Sequence, residues 1–302
     1  MPESRAAVEG LCFGYGSGPP VLDGIGFTAG AGEVLGILGR NGSGKTTLIR
    51  LLAGLIRPTA GQLDTSGLPT VVFDRTPFQE SLSGRENLHL GFALRGRGEL
   101  AREVPQWLTS IGLAADADRP VAEYSLGMRR RLAIVEALSC SSQLTLLDEP
   151  TLGLDPQGRD VLGKLLRTSA DDGGTILIAT NDAVFAETVC TRVLILGSGQ
   201  ILADGGPSDL IAGLDAPTII EVDLDRNPRS TSPPAGLTVV SREPENLVVS
   251  GASASSRLPD LCAWILESGG SVRAIRIREP GLGDVFHNVT GMRLRSESEE
   301  TR

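Results

Sequence analysis

The chain has 302 residues, 40% of them hydrophobic and 22% charged, an ordinary balance for a soluble globular protein. That length is long for a single core, so one large domain and one smaller one are expected. A formal net charge of −9 argues against a general nucleic-acid binder, which needs a basic face. No run approaches the ~18 uninterrupted apolar residues of a membrane helix and no signal peptide opens the chain, so a cytosolic protein is expected. Cys12, Cys140, Cys190 and Cys262 are scattered without a CxxC spacing, which points to buried reduced thiols rather than disulfides or a metal site.

In chain order, AAVEGLCFGYG and VLDGIGFTA read as short strands of an antiparallel piece. VLGIL (34–38) follows as a buried strand and runs into GRNGSGKTT (39–47), which contains Lys45, one of only two lysines in the chain. The spacing G-x-x-x-x-G-K-T brings backbone N–H groups of a glycine-rich turn and a helix N-terminus onto phosphate oxygens. The candidate nucleotide-binding set is therefore Gly39, Arg40, Asn41, Gly42, Ser43, Gly44, Lys45, Thr46 and Thr47. Lys45 would add its charge at the β- and γ-phosphates, and the Thr46 hydroxyl would ligate Mg²⁺. TTLIRLLAGL (46–55) reads as the following apolar helix, ending near Gly54 and Pro58.

Residues 90–138 read mainly as helices, and Met128-Arg129-Arg130-Arg131 within them is the only dense basic cluster, with a solvated helix face as the plain alternative to a functional one. LTLLDEPTLGLDP (144–156) is a buried strand that delivers two adjacent carboxylates at its end. Beside a phosphate loop, Asp148 would hold Mg²⁺ and Glu149 would polarise the attacking water as a general base. TILIA (175–179) and RVLIL (192–196) are further continuous apolar strands, as expected for a parallel sheet covered on both faces, and LGSGQI (196–201) turns the chain back in a hairpin. Composition shifts near Asp215, and RNPRSTSPPAG (226–236) is a turn or loop within a second unit. The strands TIIEVDLD, LTVV, NLVVS and VRAIRI and helices in SRLPDLCAWILESGG and LGDVFHNVTG make that unit a small α+β domain, followed by a polar tail expected to be disordered.

The phosphate loop, LLDEPT, GLD and YSLGMRRRLAIVEAL (124–138), with Ser125 placed 23 residues before Asp148, resemble the nucleotide-binding subunit of ABC transporters over residues 6 to about 214. The resemblance implies an α/β fold, the P-loop NTPase cassette with a mostly parallel sheet, an antiparallel β piece and a helical subdomain. Its extent gives an ATP-binding domain at 1–214, a C-terminal accessory domain at 215–292 and a tail at 293–302. It implies ATP and Mg²⁺ as ligands, and a second copy or a related ATPase subunit as partner. Ser125 and Gly127 would contact the γ-phosphate held by the opposite subunit, Leu126 standing where the signature's first glycine is usual. Tyr15, 24 residues before Gly39, matches the aromatic that stacks on adenine, and Asp155 the loop that couples the two sites.

Two positions depart from the family pattern. Counting back from Glu86-Asn87-Leu88, the γ-phosphate-sensing glutamine falls on Asp74, which can ligate Mg²⁺ but cannot donate an amide hydrogen bond; Gln79 substitutes only in a different register. The switch histidine position, nine residues before Cys190, holds Asn181, so slow hydrolysis is expected, and neither His89 nor His287 lies near it in sequence. The catalytic set is thus Glu149, Asn181 and Asp74, and the metal set Thr46, Asp148 and Asp74. The YSLGM variant and the LGDVFHNVTG ending are similar to drug and peptide-antibiotic exporters whose permease is a separate chain. That implies an ATPase on the inner face of the membrane powering export of a drug, antibiotic or other small hydrophobic compound, with no nucleic-acid partner; a non-hydrolysing ATP switch is the alternative.

Overall fold

The computed structural model describes residues 4–73, 78–140, 143–214, 216–228, 232–252 and 254–294. β1 (Ser4–Phe13) pairs antiparallel with β2 (Leu22–Gly30), as the sequence suggests. β3 (Val34–Leu38) is buried at every position and leads through the glycine-rich loop into α1 (Lys45–Leu52). β4 (Ala60–Thr65) returns to the free edge of β1, making a small sheet of order β2-β1-β4. Sequence patterning did not reveal β4, none of whose residues is buried, or the three-residue β5 (Thr70–Val72).

The helical stretch contains α2 (Gly84–Leu94), α3 (Val104–Ser110) and α4 (Leu126–Cys140). Their apolar faces share a core with Leu88, Phe92, Leu108, Leu132 and Val135 at its centre. α2 starts with a capping box: the Ser83 hydroxyl accepts from the Glu86 N–H while the Glu86 carboxylate accepts from the Ser83 N–H. The chain then alternates through β6 (Leu144–Asp148), α5 (Pro156–Asp171), β7 (Thr175–Thr180), α6 (Ala183–Val189), β8 (Arg192–Gly197), β9 (Gln200–Gly205) and α7 (Pro207–Ala212). The large sheet has the order β5-β6-β7-β3-β8-β9, parallel throughout except for the β8-β9 hairpin. In such a sheet the carboxyl ends of the strands form the ligand edge. Here β3, β6 and β7 are neighbours, so the loops leaving them meet.

A second sheet is built from β10 (Thr218–Arg226), β11 (Thr238–Glu243), β12 (Asn246–Gly251) and β13 (Ser271–Arg278), antiparallel in the order β11-β12-β10-β13. β10 buries Thr218, Ile220, Val222 and Leu224 at period two, against Leu261 and Ile265 of α8 (Leu258–Glu267). α9 (Leu282–Thr290) is the last described helix. Two compact units emerge, Ile211–Val285 and the remainder, so the division lies four residues before the 214/215 boundary expected from composition and residues from Phe286 onward group with the first unit. The expected tail from residue 295 lies outside the described residues, as do 229–231 of the Pro- and Ser-rich segment.

All four cysteines are free thiols, but only Cys190 is buried; burial pushes its pKa up to about 12. The expectation of buried thiols fails at Cys12, Cys140 and Cys262, which are half-buried. Among the described residues, no helix is long and apolar enough to cross a membrane.

Candidate functional site: a phosphate cleft at the strand ends

Strand register assembles the site. Leu38 of β3 pairs with Thr180 of β7 and Asp148 of β6 with Ala179, so the glycine-rich loop, the acidic pair and Asn181 leave the sheet side by side. The Gly39 N–H donates to the Thr180 carbonyl at 3.2 Å, tying the loop's first residue to β7. Gly44 ends the loop at φ +107°, and a Cβ there would lie 2.6 Å from Leu22 Cδ2, so both backbone and packing demand glycine. No side chain caps α1 and no acid occupies its first turn. Its N-terminal N–H groups and positive dipole end therefore face the cleft without internal competition, a ready anion site.

Lys45, only 5% exposed, donates from Nζ to the Gly39 carbonyl at 2.8 Å and the Arg40 carbonyl at 3.2 Å, and pairs with Glu149 Oε1 at 3.1 Å. Glu149 sits at φ +46°, one of two described non-glycine residues in the left-handed region, where strain typically marks a functional position. Its other oxygen, Oε2, accepts from the Asn181 N–H at 3.1 Å. Burial raises the Glu149 pKa, opposed by the Lys45 ammonium and the Asn181 N–H. Asp148 is likewise raised, first by burial, against a hydrogen bond with the Thr46 side chain and the Lys45 charge. Asp148 Oδ1 is buried with no hydrogen-bond partner. An orphaned carboxylate oxygen beside a threonine hydroxyl is the hard-oxygen donor set that suits Mg²⁺. Arg40, Asn41, Gly42, Gly44, Lys45, Thr46, Thr47 and Glu149 line one cleft of about 310 Å³.

Comparison with known proteins agrees with this geometry. The family model described as ABC transporter matches residues 22–152. "Nod factor export ATP-binding protein I" of Rhizobium meliloti is 33% identical over 98% of this chain and 90% of its own length. "Daunorubicin resistance ATP-binding protein DrrA3" of Streptomyces coeruleorubidus is 30% identical over 96% of this chain and 97% of its own. A solved ATP-binding subunit of an ABC transporter superposes with a TM-score of 0.63 at 28% identity, covering 69% of this chain and 92% of that one. The chain belongs to the ATP-binding subunits of ABC transporters.

Other residues of this ABC subunit lie away from the cleft. Ser125 is exposed and its Oγ accepts from the Met128 N–H at 3.2 Å, so it caps the start of α4. Gly127 is buried for a reason within its own chain: a Cβ would come 2.7 Å from the Gly153 carbonyl oxygen. Asp155 caps α5, accepting from the Gly158 N–H at 2.7 Å. Neither Ser125, Gly127 nor Asp155 lines the phosphate cleft. Tyr15 is 50% exposed, edge-on to Phe13, with its hydroxyl 3.4 Å from Thr47 Oγ1. Asp74 lies outside the described residues. Gln79 is exposed, and its N–H donates to Asn87 Oδ1.

The basic run on α4 is not a solvated face. Arg130 is 3% exposed and donates to the Phe73 carbonyl at 2.8 Å, Arg131 donates to the Ile111 carbonyl at 2.6 Å, and Arg129 pairs with Glu80 at 3.1 Å. Charge density along the sequence hid this, because successive helical residues point about 100° apart and meet different neighbours. Asn87 was also missed as an organiser: buried, it donates to the carbonyls of Gln79, Leu82 and Ser83. Its place in the run Glu86-Asn87-Leu88 was the only signal.

Proposed function

We propose that this chain hydrolyses ATP at two sites shared between two ATPase subunits and so powers export of a drug, antibiotic or other small hydrophobic compound through a separate permease. The observation that carries the hydrolytic part is Glu149, held between Lys45 Nζ and the Asn181 N–H at the edge of the phosphate cleft. ATP phosphates binding at Lys45 compete with Glu149 for the same ammonium, leaving that carboxylate to accept a proton from water. Burial raises its pKa, which makes it a stronger base than a solvated glutamate. Lys45 and the α1 N–H groups hold the phosphates, and Thr46 and Asp148 would hold Mg²⁺. The metal supplies charge neutralisation at the phosphate oxygens.

Ser125 and Leu126 are exposed, Leu126 at 52%, and so are available to a second subunit. Tyr15, half exposed beside Thr47, would stack on adenine, and Asp155 would meet the partner. Asp74 is retained as a candidate Mg²⁺ and water ligand. Export of a drug-like compound rests on the names of the relatives, one of a daunorubicin resistance protein and one of a Nod factor exporter. The inner membrane face follows from attachment to a permease. The ATP-binding domain spans 1–214 and the accessory domain 215–292, a reading supported by the change of compact unit at Leu210/Ile211.

Steady-state turnover of the purified chain tests this directly. Glu149→Gln is expected to lower kcat by at least about 100-fold, the scale of a lost general base, while leaving nucleotide binding in place. Wild-type turnover no higher than that of the variant sinks the hydrolytic proposal for a homodimer. A second reading, an ATP-switched dimer with slow or absent hydrolysis, is favoured by Asn181, whose side chain carries neither positive charge nor a titrating proton. Against it, the contact that orients Glu149 comes from the Asn181 backbone, which any residue supplies. Asn181→His separates the effects: a rise in kcat identifies the side chain as limiting, and unchanged kcat shows that the backbone contact suffices.

A further inference from the structure

The last turn of α9 reaches the outer side of the phosphate loop, and the residues involved belong to the same compact unit. Gly291 closes the helix at φ +68°, its N–H donating to the His287 carbonyl at 2.8 Å. The Thr290 hydroxyl donates to the Phe286 carbonyl at 2.6 Å and accepts from the Met292 N–H at 3.1 Å, which folds the chain back and fixes Met292. Arg40 Nη1 then donates to Met292 Sδ at 3.1 Å. The carbonyl of that same Arg40 accepts from Lys45 Nζ at 3.2 Å. A cleft of about 290 Å³ between loop and helix is lined by Asn41, Ser43, Leu202, Phe286 and Val289, among others.

A loop with glycine at 39, 42 and 44 has few side chains by which its neighbours can hold it. Besides Lys45, the one long side chain in it is Arg40, and the described hydrogen bond of its guanidinium is to Met292. We propose that Met292 is a positioning residue for the phosphate loop: by accepting from Arg40 it fixes the loop in the form that receives the phosphates, and so sets ATP affinity. Met292 touches the loop, not the phosphate cleft, whose lining does not include it. The inference rests on the proposed ATP site but concerns binding rather than hydrolysis.

The test is the dissociation constant of a fluorescent ATP analogue with Mg²⁺ for the full chain, each variant first checked for a cooperative thermal transition. Met292→Ala is expected to weaken binding about 3- to 10-fold, the cost of ordering one flexible side chain on binding, and to raise KM with kcat unchanged. Met292→Leu, which keeps the packing and removes the acceptor, is expected to bind like the alanine variant. Met292→Gln restores an acceptor on a chain of similar length and is expected to restore affinity, a pattern that a packing role would reverse. In an Arg40→Ala background, which itself loses affinity, Met292→Ala should add nothing; this arm also decides the matter if an α9 variant fails to fold. Affinity of Met292→Ala within about twofold of wild type or tighter, normal binding by Met292→Leu, or losses that multiply in the double variant overturn the proposal. Lys45→Ala binding as tightly as wild type instead overturns the nucleotide site, and this inference with it.

Discussion

Asp148 and Glu149 are adjacent carboxylates whose pKa values are both raised, and for the same first cause, burial. Only Glu149 has a cation at contact distance; Asp148 Oδ1 has no partner. A carboxylate whose folded pKa lies above its unfolded one binds its proton more tightly in the folded chain. Its contribution to stability is full below the ordinary aspartate value and is lost as pH rises through the folded pKa. Asp148→Asn removes that charge, so the ligand-free variant should gain stability over wild type at neutral pH, and the gain should shrink toward pH 4. Urea denaturation of both proteins across that range checks it, with loss of Mg²⁺-dependent stabilisation by ATP as the functional counterpart. A wild type more stable than Asp148→Asn at pH 7 without ligand contradicts the assignment of Asp148 as a buried carboxylate whose charge burial disfavours. Lys45, Asp148 and Glu149 were legible in sequence because each lies in a short local motif. The Asn181 backbone contact and the Met292 thioether were not, since they depend on which strands are neighbours and on where a distant helix ends.

At the scale of elements, α4 is braced by side chains along its first turns. Arg130 and Arg131 each satisfy a backbone carbonyl, and Arg129 adds an ion pair with the exposed Glu80 to its own bonds to the Ala122 and Tyr124 carbonyls. Arg130→Met keeps much of the packing but leaves the Phe73 carbonyl without this donor, an expected cost of about 1–3 kcal/mol. Glu80→Ala breaks only the Arg129 ion pair and should cost about 0–1 kcal/mol. Chemical denaturation ranks the two, and equal losses would contradict the difference between a buried arginine's bond to a carbonyl and one exposed ion pair. Gly127→Ala presses a methyl into the Gly153 carbonyl at 2.7 Å and should destabilise by about 1–3 kcal/mol. The central strands were readable as continuous apolar runs, for a parallel strand buried on both faces needs them. β4 and β5 carried no such signal, being exposed in the one case and three residues long in the other.

For the whole molecule, the cleft is lined by Lys45, Thr46 and Glu149, Asp148 is hydrogen-bonded to the Thr46 side chain, and Ser125 stands exposed outside the lining. ABC ATPase subunits dimerise and work with transmembrane permeases, and under the proposed function another subunit's Ser125 would complete this cleft. The change of compact unit falls at Leu210/Ile211, and residues from Phe286 group with the first unit, a return that composition does not show. That return is a tertiary contact made across 252 positions of sequence, Arg40 with Met292. The shared site is tested most directly by light scattering of Glu149→Gln, which should trap bound nucleotide. With saturating Mg·ATP it should form a particle of twice the 31.6 kDa chain mass, and the added substitution Ser125→Ala should return it to a single chain. Glu149→Gln remaining at 31.6 kDa under saturating Mg·ATP would contradict a site shared between two copies of this chain.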